Sequence, residues 1–496
     1  MNKFFKLLGF DPEKKQTSVK TEIVAGIVTF LAMAYILTVN PNQILYGGTA
    51  DPRWSSLFIA TAFGAIIGTL LMAFLAKMPL AQASGMGLNS LLGTIIGGGV
   101  GAYSVYVFHF TLGQAFMMVL ISGIVFLLLS VISVKGKTVR ELVFDGMPVS
   151  VRSAISVGIG LFIAYIGFQN AGVIVANQYT QVALADFTNW EGSKTAIVAL
   201  IGLFLIAVLD KLNVKGSVIL GILGATIIGI PFGVTNVKVI AGTEGISWKF
   251  WENFANFFSV GENSVFGSFA DVFSTGFPDG SLFTVIMLIV TMCMIDMFDT
   301  MGTIVGCCSG NRVLSDENEK PHNYGKIMMS DSIATCAGAM IGTSTVTTFV
   351  ESGAGVSAGG RTGLTAFTTA CMFLLAIFAM PLFAMIPSAA TAAALIYVGV
   401  LMMKHNVKGI DFSTAISATT AFLTISIMVL SYSITKGIGI GMMSYVLMSA
   451  LAYGAEWIKY ALAKDKENAE KPQWRVSVVA LIVTALFVVY FFVPVA

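Results

Sequence analysis

Apolar runs of about 20 residues, long enough to cross a hydrocarbon core of about 30 Å, recur along nearly the whole chain. Only 11% of the residues are charged, whereas soluble domains carry about a quarter. No soluble fold could hide a chain that is 56% apolar with a mean hydropathy of +0.85. Lipid is therefore the solvent, and the runs form one bundle of spans. Residues 1–22 are polar and lysine-bearing. The run that follows is long and lacks a small-residue cleavage site, so it reads as an uncleaved span and the chain is expected to be the mature protein.

Spans are expected near 23–45, 54–76, 84–97, 108–134, 150–168, 194–210 and 214–232. A second seven follow near 281–304, 326–346, 350–360, 363–386, 389–403, 412–434 and 437–458. With a cytoplasmic N-terminus, 22 of the 28 Lys and Arg residues fall in inside segments, five fall outside, and Arg361 sits at a membrane position. The opposite orientation would invert the bias that sets topology. The expected organisation is a cytoplasmic segment 1–22, a seven-span repeat over 23–232, an extracytoplasmic connector 233–280, a second repeat over 281–458 and a charged cytoplasmic segment 459–474. The apolar run 475–496 is either a further span or a helix lying on the bundle. A multi-pass protein of the bacterial inner membrane, in contact with lipid, is implied.

The halves resemble each other where the backbone chemistry is unusual. Ser84-Gly85-Met86-Gly87 recurs as Ser352-Gly353-Ala354-Gly355, Lys215-Gly216 as Lys436-Gly437, and Val157-Gly158 as Val398-Gly399. Glycine is abundant, so each match alone is weak, but their shared order points to duplication. Seven is odd, so the two copies enter the membrane from opposite sides, as inverted repeats of secondary transporters do. The expected fold is an all-α polytopic membrane protein of two inverted seven-span repeats, with spans 3 and 10 part extended and part half-helix. Segments 84–97 and 350–360 are too short and glycine-rich for continuous spanning helices. Two readings stand for them. Half-helix N-termini at Gly85 and at Ser352-Gly353 could aim unpaired N–H groups at one ligand, or small residues such as Gly355 and Gly359 could serve close helix packing.

Span 281–304 carries Asp296 and Asp299, whose i, i+3 spacing puts both carboxylates on one helix face. Glu351 adds a third intramembrane acid. A carboxylate at the bilayer centre costs at least about 2.5–3.5 kcal/mol, so such acids mark pathways, relays or substrate sites. Anions fit poorly beside them, because only Arg361 offsets the acids. A neutral planar ligand rich in N–H donors fits better, since carboxylates accept from ring N–H and exocyclic amino groups while backbone N–H groups satisfy ring carbonyls. Burial favours the protonated carboxyl, so the same acids supply a proton-coupling element. Phe298 and Phe349 are placed to stack on a ring or to pack as ordinary core, the plainer reading in a chain with 37 Phe;.

At these residues the chain resembles the AzgA-type purine permeases, the hypoxanthine, guanine and adenine carriers of the nucleobase/ascorbate transporter superfamily. The resemblance covers about residues 19–460. It is carried by Thr21-Glu22-Ile23-Val24-Ala25-Gly26 through Met33-Ala34-Tyr35-Ile36 and Val39-Asn40-Pro41, by Gly85-Met86-Gly87-Leu88-Asn89, by Ile295-Asp296-Met297-Phe298-Asp299-Thr300, and by Gly342-Thr343-Ser344-Thr345 running into Glu351-Ser352 and Gly359-Gly360-Arg361. It implies a core domain (spans 1–4 and 8–11) and a gate domain (spans 5–7 and 12–14) that move against each other. It also implies a purine bound between spans 3, 8 and 10. Asp296 and Glu351 would hydrogen-bond the base, Asp299 would support it or the proton coupling, and Asn89 would shape the site from span 3. Gate surfaces of this kind leave room for a homodimer.

The net charge of +2 and the lack of a basic block interleaved with aromatics argue against nucleic acid as a partner;. The five cysteines lack disulfide or zinc spacing and are expected to be packing residues. His109, His322 and His405 fall at loops or span ends, so neither a histidine relay nor a metal or other cofactor is expected. Asp331 and Lys326 read as an interfacial cap or ion pair, and Asn40-Pro41 as the end of the first helix. Two rival functions fit the sequence less well. An intramembrane aspartyl protease needs a pair of aspartates from two helices, whereas Asp296 and Asp299 share one. An anion transporter or channel on the same fold is opposed by the acids.

Overall fold

Two short turns of helix, α1 (Lys3–Leu7) and α2 (Pro12–Lys15), precede the first span in this computed structural model. The structure describes residues 3–45, 49, 51–96, 110–134, 137–138, 142, 147–177, 179–214, 216–241, 246–258, 265, 268, 272–273, 275–308, 313–315, 321–462 and 471–492. His109, Lys215 and the side chains of Phe298 and His405 lie outside the described residues. Ser18 caps α3 (Val19–Met33) by accepting the Thr21 N–H, which starts the helix four residues before the apolar run. Proline does not end the first span. The break falls at Ala34-Tyr35, and α4 (Ile36–Leu45) carries Pro41 in its interior, where the ring removes only the bond to the carbonyl four residues back.

Seven helices among the described residues are long and apolar enough to cross a bilayer, and six shorter apolar helices join them. The first half continues with α5 (Trp54–Leu71), whose end widens into a π-turn at Met72–Ala76. Then come β1 (Gln82–Ser84), α6 (Met86–Ile96) and α7 (Leu112–Val131). A two-residue ribbon, β2 (Ser133–Val134) with β3 (Lys137–Thr138), leads to α8 (Val149–Asn170). The hairpin β4 (Ile174–Asn177) and β5 (Gln181–Leu184) precedes α9 (Trp190–Lys211) and α10 (Ser217–Gly229). The connector holds α11 (Phe250–Phe258). The second half runs α12 (Leu282–Cys308), α13 (Tyr324–Ile341), β6 (Val346–Thr348), α14 (Ser352–Ser357), α15 (Gly363–Phe378), α16 (Met380–Ala384), α17 (Ser388–Asn406), α18 (Ala415–Leu430) and α19 (Ile434–Leu462). The terminal apolar run is α20 (Val478–Phe492), which packs along α19, with Phe487 and Phe491 against Gly439.

The chain is an all-α polytopic membrane protein that packs as two units, residues 1–131 with 163–398 and residues 132–162 with 399–496. In the first, α15 packs on α3 and α5, and α13 on α5 and α7. Phe30 meets Phe373 edge-on with ring centroids 5.1 Å apart. Spans 6 and 7, which the resemblance placed with the gate, also belong to this unit. There α10 lays Gly221 and Gly224 against Ile206 and Leu205 of α9, the close approach that small residues allow in lipid. In the second unit, Gly437 and Gly441 of α19 meet Met428 and Thr424 of α18. Large apolar side chains such as Phe204, Ile227, Leu375, Leu447 and Leu451 remain exposed, as a surface bathed in hydrocarbon requires. All five cysteines are free thiols, three of them buried.

Candidate functional site

In the first unit the two interrupted spans meet as strands. β1 pairs antiparallel with β6, Gln82 opposite Thr348, Ala83 opposite Thr347 and Ser84 opposite Val346. The Phe349 N–H to Ala81 carbonyl bond (3.0 Å) and the Gly85 N–H to Thr345 carbonyl bond (2.9 Å) extend the ladder at both ends. Strands from copies inverted in the membrane must run antiparallel, and these do. All six strand residues are buried, so their backbone is satisfied by each other in place of water. Gly85 packs closely here: a Cβ would lie 3.0 Å from Thr347 Oγ1, so the threonine side chain would have to give. The matched Ser-Gly pairs are offset: Ser84 closes its strand, whereas Ser352 opens α14 three residues beyond Phe349.

Around this crossing the polar side chains converge. Asn40 Nδ2 lies 2.7 Å from Thr61 Oγ1, 3.0 Å from Thr343 Oγ1 and 3.2 Å from Ser84 Oγ. Asp296, 1% exposed, accepts from Thr335 Oγ1 at 3.2 Å. Asp299, half-buried, shares the electrostatic field of Asp331 and Glu351. Glu351 takes the Tyr35 hydroxyl on Oε1 at 2.5 Å, while its Oε2 is buried without a hydrogen-bond partner. Thr345 Oγ1 is likewise buried and unpartnered. Such orphans in a native interior call for an explanation, and a missing ligand is one. Asn89, fully buried on α6, pairs with Ser344 Oγ, so its amide is held beside the second copy's strand.

Asp331 is not an interfacial cap. It is fully buried, accepts Thr300 Oγ1 at 2.9 Å on both oxygens and takes Gln82 Nε2 at 3.1 Å. The site thus holds a fourth acid, and α13 contributes to it as α12 does. Arg361 does not offset these acids: its Nη1 donates to the Val356 and Gly360 carbonyls at 2.6 and 2.7 Å, closing the C-terminal end of α14. A further buried acid, Glu22, lies elsewhere on α3. It accepts the backbone N–H groups of Arg361 and Thr362 and the Thr365 hydroxyl, and so caps α15 from a neighbouring helix.

The expectation of two open half-helix N-termini fails at α14. At α14 the N–H groups of Ser352, Gly353 and Ala354 are bonded to the carbonyls of Phe349, Val350 and Glu351, and the Ser352 hydroxyl accepts the Ala81 N–H at 3.0 Å. Gly353 has ordinary room around it, with a Cβ position 3.7 Å from Cys307 Sγ. At α6 the Gly85 N–H is bonded to Thr345, and the turn at Met86-Gly87-Leu88 is the remaining N-terminal one. Glu351 is therefore presented by a tight turn before α14, not by a helix dipole aimed past it. Phe349 is 4% exposed and bonded through its backbone to Ala81, which makes it a wall of the strand pair. The residues the spacing did not single out are Tyr35, Asn40, Gln82 and Asp331. The available signal was a polar side chain inside an apolar span.

Comparison with known proteins agrees in family and in fold. The model of the Permease family matches residues 20–440. The adenine permease AdeP of Escherichia coli is 35% identical over 432 residues, 87% of each chain. The guanine/hypoxanthine permease PbuO of Bacillus subtilis is 35% identical over 451 residues, 89% of this chain and 94% of its own. Among solved structures, the transmembrane domain of the cyanobacterial bicarbonate transporter BicA superposes with a TM-score of 0.56 at 17% identity, covering 84% of this chain and 97% of that one. At that identity the likeness speaks for the fold alone.

Proposed function

The chain belongs to the Permease family and is a transporter, not an enzyme; from that premise we propose that it imports purine nucleobases, coupled to protons, by movement of core against gate. The observation that carries the reading is Glu351: a buried carboxylate fixed by Tyr35 through one oxygen and offering the other, unpartnered. A purine presents ring N–H and amino donors to such an acceptor. Asp296 and Asn89 supply further hydrogen-bonding edges, Gly85 allows the backbone to come close, and the acids are the groups able to carry a proton. Relatives named as adenine and as guanine/hypoxanthine permeases support the substrate class.

Clustered carboxylates repel an anion, which weighs against the cargo of the bicarbonate carrier that shares the fold. The coupling is tested in proteoliposomes carrying the purified chain. An imposed inward proton gradient should drive purine accumulation at equal sodium on both sides. Accumulation that follows a sodium gradient and ignores the proton gradient would overturn the proton assignment while leaving the substrate class standing.

A further inference from the structure

A polar cavity lies further along α4. Its volume is about 380 Å³, within the roughly 300–1,000 Å³ typical of small-molecule sites. Gln43 is eight residues beyond Tyr35, about 12 Å along a helix. The walls come from the end of α4, the end of α8, the segment after α10 and the turn before α17. All of these belong to the first unit, and all are segments that the distribution of Lys and Arg assigns to the extracytoplasmic side.

Among the described residues the lining holds no Asp, Glu, Lys, Arg or His; it combines the amides Asn42, Gln43, Asn170 and Asn236 with an apolar wall that includes Val39 and Pro387. An amide both donates and accepts, so this set matches the mixed edge of an uncharged heteroaromatic base and offers an ion no counter-charge. Gln43 gives the independent sign of a ligand. It is 2% exposed, its Nε2 donates to Ser90 Oγ at 3.0 Å, and its Oε1 is buried without a partner. An unsatisfied buried acceptor is destabilising, a cost that a ligand N–H would remove. The bond to Ser90 also ties the cavity to α6, the helix that carries Asn89.

We propose that this cavity is an outer docking site that takes an uncharged nucleobase before it reaches the acids. The inference rests on the nucleobase reading above. The test introduces Asn170→Cys and labels intact cells with a membrane-impermeant maleimide, with the unsubstituted chain as background. Labelling should proceed without base and slow several-fold with saturating hypoxanthine or adenine, and the protection should persist when Glu351→Gln is added. Protection lost with Glu351→Gln would mean that the base is sensed only through the acid site, and no labelling or no protection would mean a closed or merely solvated cavity; each overturns the proposal. Gln43→Leu, which keeps the bulk and removes the amide, should raise the KM of uptake several-fold with the maximal rate retained, and an unchanged KM would contradict the docking role. Purine uptake by the unsubstituted chain is measured alongside. Uptake without protection sinks the cavity alone, whereas no uptake sinks the nucleobase reading itself.

Discussion

Replacing Glu351 by Gln changes one acceptor atom and almost no volume. In the structure Tyr35 donates to Glu351 Oε1 at 2.5 Å and Oε2 stands unpartnered. A glutamine has one acceptor. If its oxygen keeps the Tyr35 hydroxyl, its NH₂ group replaces Oε2 and meets the N–H of the base as donor against donor. The loss is one hydrogen bond to a charged group, about 1.5–3 kcal/mol, which at about 1.4 kcal/mol per decade weakens binding about 10- to 150-fold. Isothermal titration of the solubilised protein with its best purine reads this directly. Tyr35→Phe should weaken binding less, because it leaves the carboxylate in place and removes only the group that orients it. A Kd for Glu351→Gln within twofold of the parent, with the protein folded, would refute the role given to this carboxylate.

Three further outcomes follow from the same geometry. Asp331→Asn puts an amide where Thr300 and Gln82 both donate; it should lower transport at least tenfold while leaving expression intact, and uptake at the parental rate would contradict its place in the site. Glu22→Gln removes a carboxylate that caps α15, and a loss of about 1–2 kcal/mol in stability, with purine affinity unchanged, is the expected result of a thermal-shift and binding comparison. Gly355→Val drives a Cβ into Thr29 Oγ1 and the Ala25 carbonyl; overpacking of this kind costs about 1–3 kcal/mol, so the fraction of monodisperse protein after extraction should fall, and an unaltered yield would show that α3 and α14 can part without penalty.

Much of the fold was legible in the sequence, because lipid leaves few choices: apolar runs declare spans, and glycine runs such as 84–87 declare where a span is interrupted. Asp296, Asp299 and Glu351 were legible for the same reason, as charges where charge is expensive. The partners of these acids were not. Tyr35 and Glu351 are 316 residues apart, and Gln82 and Asp331 are 249 apart, so only the pairing of β1 with β6 reveals that they meet. Asp331 was as visible as the other acids, but its position near the start of a span made it resemble a cap. Pro41 misled because a helix that has already broken at Ala34-Tyr35 can carry a proline further along. The glycines at α14 suggested an open helix end, whereas the turn at 349–354 closes on its own carbonyls.

The most direct test is uptake of radiolabelled hypoxanthine, guanine and adenine by cells that lack their own purine carriers and express this chain, each competed by the other bases and by uracil. Saturable uptake of at least one purine, competed by purines and abolished in Glu351→Gln, is the predicted result. Absence of any purine uptake above the empty-vector control, with the protein present in the membrane, would contradict it.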